Sequence, residues 1–120
     1  MSNEIAWQVE LTVESAMMDK FRDLTDEMIQ STAHEEGVLV YERFLANNGD
    51  KVFLYERYAN SQAALSHLRV FQEKFGAAFS QLVNRERFLV FGTPSDELKQ
   101  ILDRYDAVFL SRIGGFSTMM

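Results

Sequence analysis

A strand of strict two-residue alternation near the start, an Asn-Gly hairpin in the middle and two helical stripes around it predict an α+β fold. The order of these elements is the split βαβ, ferredoxin-like one. With 120 residues, 47% of them hydrophobic, the chain suits one domain with a real core and is too short for two. Residues 1–120 therefore read as a single domain, with a core over about 4–92 and a C-terminal extension over 93–120.

Ile5, Trp7, Val9, Leu11 and Val13 alternate with Ala6, Gln8, Glu10 and Thr12, as in a strand with one buried face. From Met18 to Glu36 the spacing turns helical: Phe21, Leu24, Met28 and Ile29 share a side, Asp19 is a candidate N-cap and Gly37 a stop. Asn48-Gly49 then lies between two β-rich runs, where a type I′ turn needs positive φ at both central residues. A two-residue loop sets Asn47 opposite Asp50, so Tyr41 faces Glu56 and Glu42 faces Tyr55.

Ser61 is the candidate cap of a second helix with Ala64, Leu68, Phe71, Phe75, Phe79 and Leu82 on one stripe. Gly76 and the phenylalanines permit a break near Val70, and the helix ends by about Asn84. Arg85 to Phe91 reads as a fourth strand. Thr93-Pro94-Ser95 opens a third helix from Asp96 to about Tyr105, capped by Ser95, before a short last strand within Ala107 to Arg112.

Both faces of the hairpin are largely apolar. Leu39, Tyr41, Arg43, Leu45, Val52, Leu54, Glu56 and Tyr58 line one, and Val40, Glu42, Phe44, Phe53, Tyr55 and Arg57 the other. In the split βαβ order the long helices cover a single face, and a monomer rarely exposes so large an apolar patch on the other. The expectation is a face-to-face homodimer, with the terminal strand as a candidate to reach across; the competing arrangement folds the third helix under the sheet.

Twelve basic against eighteen acidic side chains give a formal charge of -6, which opposes binding to nucleic acid. With no cysteine there is no disulfide framework, thiolate metal site or cysteine nucleophile, as suits a reducing cytoplasm. The N-terminal segment does not read as a signal peptide, and no run approaches the roughly 18 apolar residues of a membrane span. The two histidines, His34 and His67, are far apart and give no metal signature. His34 beside Glu35-Glu36 fits a cap or surface role, and Gly114-Gly115 opens no phosphate-binding helix.

Glu36-Gly37-Val38-Leu39-Val40-Tyr41, then Phe53-Leu54-Tyr55-Glu56-Arg57-Tyr58-Ala59-Asn60, then Ala63-Ala64-Leu65-Ser66-His67-Leu68 resembles the antibiotic biosynthesis monooxygenase domain, over roughly Ile5 to Phe91. The resemblance implies a dimeric α+β barrel whose best-known members oxidise quinol- or anthrone-like aromatics with molecular oxygen, without metal, flavin or haem. It also implies a pocket between each sheet and its own helices, with Tyr41, Glu56 and His67 at matching positions and Tyr58 where the family often has tryptophan. The asparagine, tryptophan and histidine of a related haem-degrading branch find no match.

Oxidation without a cofactor passes through an electron-rich substrate anion, so the protein needs a base and an anion stabiliser. Histidine titrates near neutrality, which makes His67 the candidate base or proton shuttle. Arg43 or Arg57 can stabilise developing negative charge, and Glu56 suits an orienting role. Tyr41, Tyr58, Arg43, Trp7 and Phe71 are the candidate substrate contacts. Each has a plainer reading beside it: His67 as a polar cap, Glu56 with Tyr41 as a structural hydrogen bond, the arginines as solvated strand ends, Trp7 and the phenylalanines as core. Three functions stay open: a cofactor-independent monooxygenase, a non-catalytic dimeric module holding a small aromatic or apolar metabolite, and an isomerase of a small carbonyl metabolite.

Overall fold

The computed structural model describes residues 3–118. Its strands are β1 (Ile5–Thr12), β2 (Val38–Leu45), β3 (Lys51–Tyr58), β4 (Asn84–Phe91) and β5 (Val108–Leu110). Its helices are α1 (Met18–Thr32), entered through a 3₁₀ turn at Ser15–Met17, α2 (Ser61–Lys74), α3 (Gly76–Leu82) and α4 (Asp96–Asp103). One mixed sheet has the order β2-β3-β1-β4-β5. The first four strands pair antiparallel and β5 joins β4 in parallel, which makes this an α+β, ferredoxin-like fold with an added helix and strand. Among the described residues no helix is long and apolar enough to cross a membrane.

The alternation of β1 puts Ile5, Trp7, Val9 and Leu11 into the core, where Phe21 of α1, Leu65 of α2 and Leu98 and Leu102 of α4 meet them. Because α4 shares this core, it covers the same face as α1 and α2 and does not fold under the sheet. The terminal strand likewise pairs with its own β4 instead of reaching away. The opposite sheet face stays open, with Phe44 55% and Val108 50% exposed and Phe91 and Leu110 beside them on the β4–β5 side.

The hairpin has the expected register, Tyr41 opposite Glu56 and Glu42 opposite Tyr55, but a different turn. The Gly49 N–H donates to the Ala46 carbonyl at 3.0 Å, so the loop is four residues long. Gly49 alone in that loop takes a positive φ, +113°, and Asn48 does not. A four-residue loop is centred on the same point as a two-residue one, so the cross-strand partners survive the wrong turn type.

Three local expectations change. Asp19 lies in the first turn of α1, behind a cap position held by Met17 without a side-chain bond. Asn60 caps α2, its side-chain oxygen accepting from the Ala63 N–H at 2.9 Å. The neighbouring Ser61 hydroxyl instead accepts from the Ser95 N–H at 2.9 Å, which ties α2 to the start of α4. The helix break falls at Phe75, before Gly76, and not near Val70. Ser95 caps α4 as expected, accepting from the Leu98 N–H at 3.2 Å.

Candidate active site

The helix-bearing face of β2 and β3 carries Tyr41, Arg43 and Glu56, and α2 lays His67 over them. Glu56 and His67 are each only 4% exposed. A buried carboxylate must find donors, and Glu56 has three: Trp7 Nε1 at 2.9 Å, the Tyr58 hydroxyl at 2.5 Å and Arg43 at 2.8 Å. Burial alone would raise its pKa, but Arg43, His67 and the bonds from Tyr58 and Arg43 outweigh that, and the net shift is downward. Glu56 is thus an ionised hub and a poor base.

His67 lies between two carboxylates. Its Nδ1 is 2.9 Å from Glu35 Oε1 and its Nε2 is 3.7 Å from Glu56 Oε1. With the Nδ1 proton donated to Glu35, the ring is fixed in one orientation and Nε2 is left to work. Glu35 belongs to the segment between α1 and β2, and Gly37 explains how that segment comes so near. Its φ is +82°, and a Cβ added there would be 2.6 Å from the Ala63 Cβ. Ala63 stands one helical turn before His67 on the same side of α2, and the Ala59 N–H closes the approach by donating to the Gly37 carbonyl at 2.8 Å. A glycine that removes steric bulk at α2 therefore delivers a carboxylate to the histidine.

Tyr41 meets the His67 ring edge-on at 5.4 Å and carries the Arg43 guanidinium 3.6 Å above its own ring. Thr32 approaches its buried hydroxyl, but no hydrogen bond of good geometry closes. Burial first and Glu56 second push its pKa up to about 12, so it stands there as a neutral phenol. Tyr58 is raised further, also by burial and then Glu56.

Beside this cluster lies a cavity of about 320 Å³ bounded by β1, β2, β3, β4, α1, α2, α3 and Tyr105. Of the residues singled out in the sequence, His67, Glu56, Tyr41, Arg43, Trp7 and Phe71 line it. Tyr58 does not: it is fully buried behind the wall, where it donates to Glu56 and its ring lies tilted against Trp7 at 4.6 Å and against His67 at 5.4 Å. Arg57, the other candidate anion holder, alternates onto the opposite face and pairs with Glu4 at 3.0 Å. The Tyr41–Glu56 hydrogen bond is absent, since Glu56 spends its acceptors on Trp7, Tyr58 and Arg43. Glu35 was missed, because in the sequence it reads as one of two acids at a helix end. The glycine two residues on was the available signal. Size and lining suit a small, largely apolar ligand with one polar end.

Residues 5–81 match the family model described as antibiotic biosynthesis monooxygenase. Among solved structures the chain is similar to MupZ from Pseudomonas fluorescens, with a TM-score of 0.88 and 23% identity over 98% of this chain and 91% of that one. It is also similar to SnoaB, a cofactor-independent oxygenase from Streptomyces nogalater, with a TM-score of 0.66 and 14% identity over 78% of this chain and 96% of that one. Rv0793 from Mycobacterium tuberculosis gives a TM-score of 0.63 and 21% identity over 78% of this chain and 97% of that one. No protein of curated function matches it in sequence.

Proposed function

We propose that this chain, which belongs to the antibiotic biosynthesis monooxygenase family, is a cofactor-independent oxygenase that oxidises a small quinol-like or anthrone-like aromatic in the cavity over β2 and β3. The observation that carries the reading is His67, buried on the cavity wall with Nδ1 held by Glu35 at 2.9 Å. The likeness to SnoaB, a cofactor-independent oxygenase, supports it at the level of fold.

The chemistry needs no external reductant. His67 Nε2 takes the acidic proton of the substrate, and the resulting anion passes one electron to dioxygen. The radical and superoxide combine to a peroxide anion, which takes the proton back from His67 to give a hydroperoxide, and loss of water leaves a carbonyl. For an anthrone-type carbon the balance is CH₂ + O₂ → C=O + H₂O, all four electrons coming from the substrate carbon. Glu35 orients the imidazole and stabilises it when protonated. The neutral Tyr41 hydroxyl and the Arg43 guanidinium supply donor and positive charge toward the oxyanion.

A second reading rests on the same geometry. Two carboxylates flanking one imidazole suit proton transfer without oxygen, as in isomerisation of a small carbonyl metabolite. Oxygen uptake by metal-free protein with a panel of hydroquinones and anthrones separates the two. Uptake above the buffer rate that His67→Ala abolishes supports the oxygenase. Conversion that continues anaerobically supports proton transfer, and binding without turnover supports a carrier.

The assembly we propose is a homodimer joined through the open sheet face, where Phe44, Phe91 and Val108 would otherwise stay in water. A cysteine-free chain suits the cytoplasm, the compartment we assign to it.

A further inference from the structure

Strict alternation along β4 would send Arg85 to the open face of the sheet, because Phe88 and Val90 point to the helices. The register shows otherwise. Glu10 pairs with Arg87 but Leu11 pairs with Arg85, so Glu86 is an extra residue and the pattern reverses. Leu11 is buried in the core on the helix side, and Arg85 opposite it lines the cavity. A bulge beside a site re-aims one side chain. Here the side chain is a cation.

We propose that Arg85 is the handle for an anionic group, a carboxylate on an aromatic substrate, at the end of the cavity that Tyr105 lines; the proposal rests on the reading of this cavity as the substrate site. Charge accounting on the wall supports it. Arg43 is already paired with Glu56, and His67 is placed between Glu35 and Glu56. Arg85 has no acidic partner among the described residues and rests only on the Tyr105 ring, 4.9 Å from its centroid. Tyr105 in turn stacks on Phe88 at 5.7 Å, so the C-terminal extension sets the direction of the guanidinium. In a chain of net charge -6, an exposed cation without an acidic partner at the rim of a mostly apolar cavity gives an acidic ligand its place and its orientation. The aromatic body then lies along Phe71, Phe79 and Phe88, and its far end reaches Tyr41 and His67.

Calorimetric titration under nitrogen with 2-naphthoate and with the neutral 2-naphthamide tests this independently of turnover. The acid binds more tightly than the amide at low salt, and added salt narrows the gap. Arg85→Gln removes on the order of tenfold of the affinity for the acid while leaving the amide unchanged, and Arg85→Lys restores part of it. Equal binding of acid and amide, no binding of either, or a preference that survives Arg85→Gln overturns the proposal. Oxygen uptake without acid selectivity would defeat Arg85 and spare the oxygenase; acid selectivity without uptake would do the reverse.

Discussion

Replacing Glu56 by glutamine is the sharpest perturbation of the site, because shape is kept while charge is lost. Three donors converge on this carboxylate, and one of them, Arg43, has a side chain only 9% exposed. The amide keeps one acceptor oxygen and turns the other into an NH₂ that must face Arg43 or the Trp7 and Tyr58 donors. Breaking a buried pair by removing one partner costs about 3–5 kcal/mol, since the other charge is left without compensation. That corresponds to a fall of roughly 10–25 °C in the thermal midpoint of a domain this size.

The loss depends on pH in a definite direction. The folded-state pKa of Glu56 is depressed, so its contribution is full above the ordinary value of 4.5 and fades as pH falls below it toward the folded pKa. Urea unfolding followed by far-ultraviolet circular dichroism at pH 7, and again at successively lower pH, reads both effects. Glu56→Gln should be least stable relative to wild type at pH 7, with the gap closing in acid. A variant within about 1 kcal/mol of wild type at pH 7 would refute the hub, since the buried-pair cost could not then apply.

Gly37→Ala should destabilise by about 1–2 kcal/mol from its backbone alone, more with the 2.6 Å contact to Ala63, and should lower turnover by displacing Glu35; thermal melts and kcat together check it. Tyr41→Phe removes a hydroxyl that makes no good hydrogen bond, so its stability should stay within about 1 kcal/mol of wild type. The same variant should lack the tyrosine that ionises near pH 12 in an ultraviolet titration. Between pH 10 and about 12 only the unfolded chain releases this proton, so wild type should lose stability relative to Tyr41→Phe across that range. Phe44→Asp on the open face should halve the mass seen by sedimentation without changing the circular dichroism spectrum; a wild-type chain that sediments as a monomer would contradict the proposed dimer.

The strand order and the hairpin register were legible because alternation and loop symmetry survive errors in the turn itself. The turn type was not legible, since Asn-Gly suits several loops and only the chain direction at Ala46 decides among them. Asn60 and Ser61 both cap well, and the choice between them depended on Ser95 arriving from the extension. The bulges at Leu39 and Glu86 leave no compositional mark, so the cavity position of Arg85 was hidden. His67 and Glu56 could be picked out as polar residues in apolar runs. Glu35 carried no such mark of its own, only Gly37 two residues on, and it reaches His67 across 32 residues of chain.

Mass spectrometry of the product formed from an anthrone under ¹⁸O₂ by metal-free protein tests the central claim most directly. One labelled oxygen per product is expected, formed at a rate that His67→Ala reduces to that of buffer. Unlabelled product, label from water, or a His67→Ala protein as fast as wild type would contradict it.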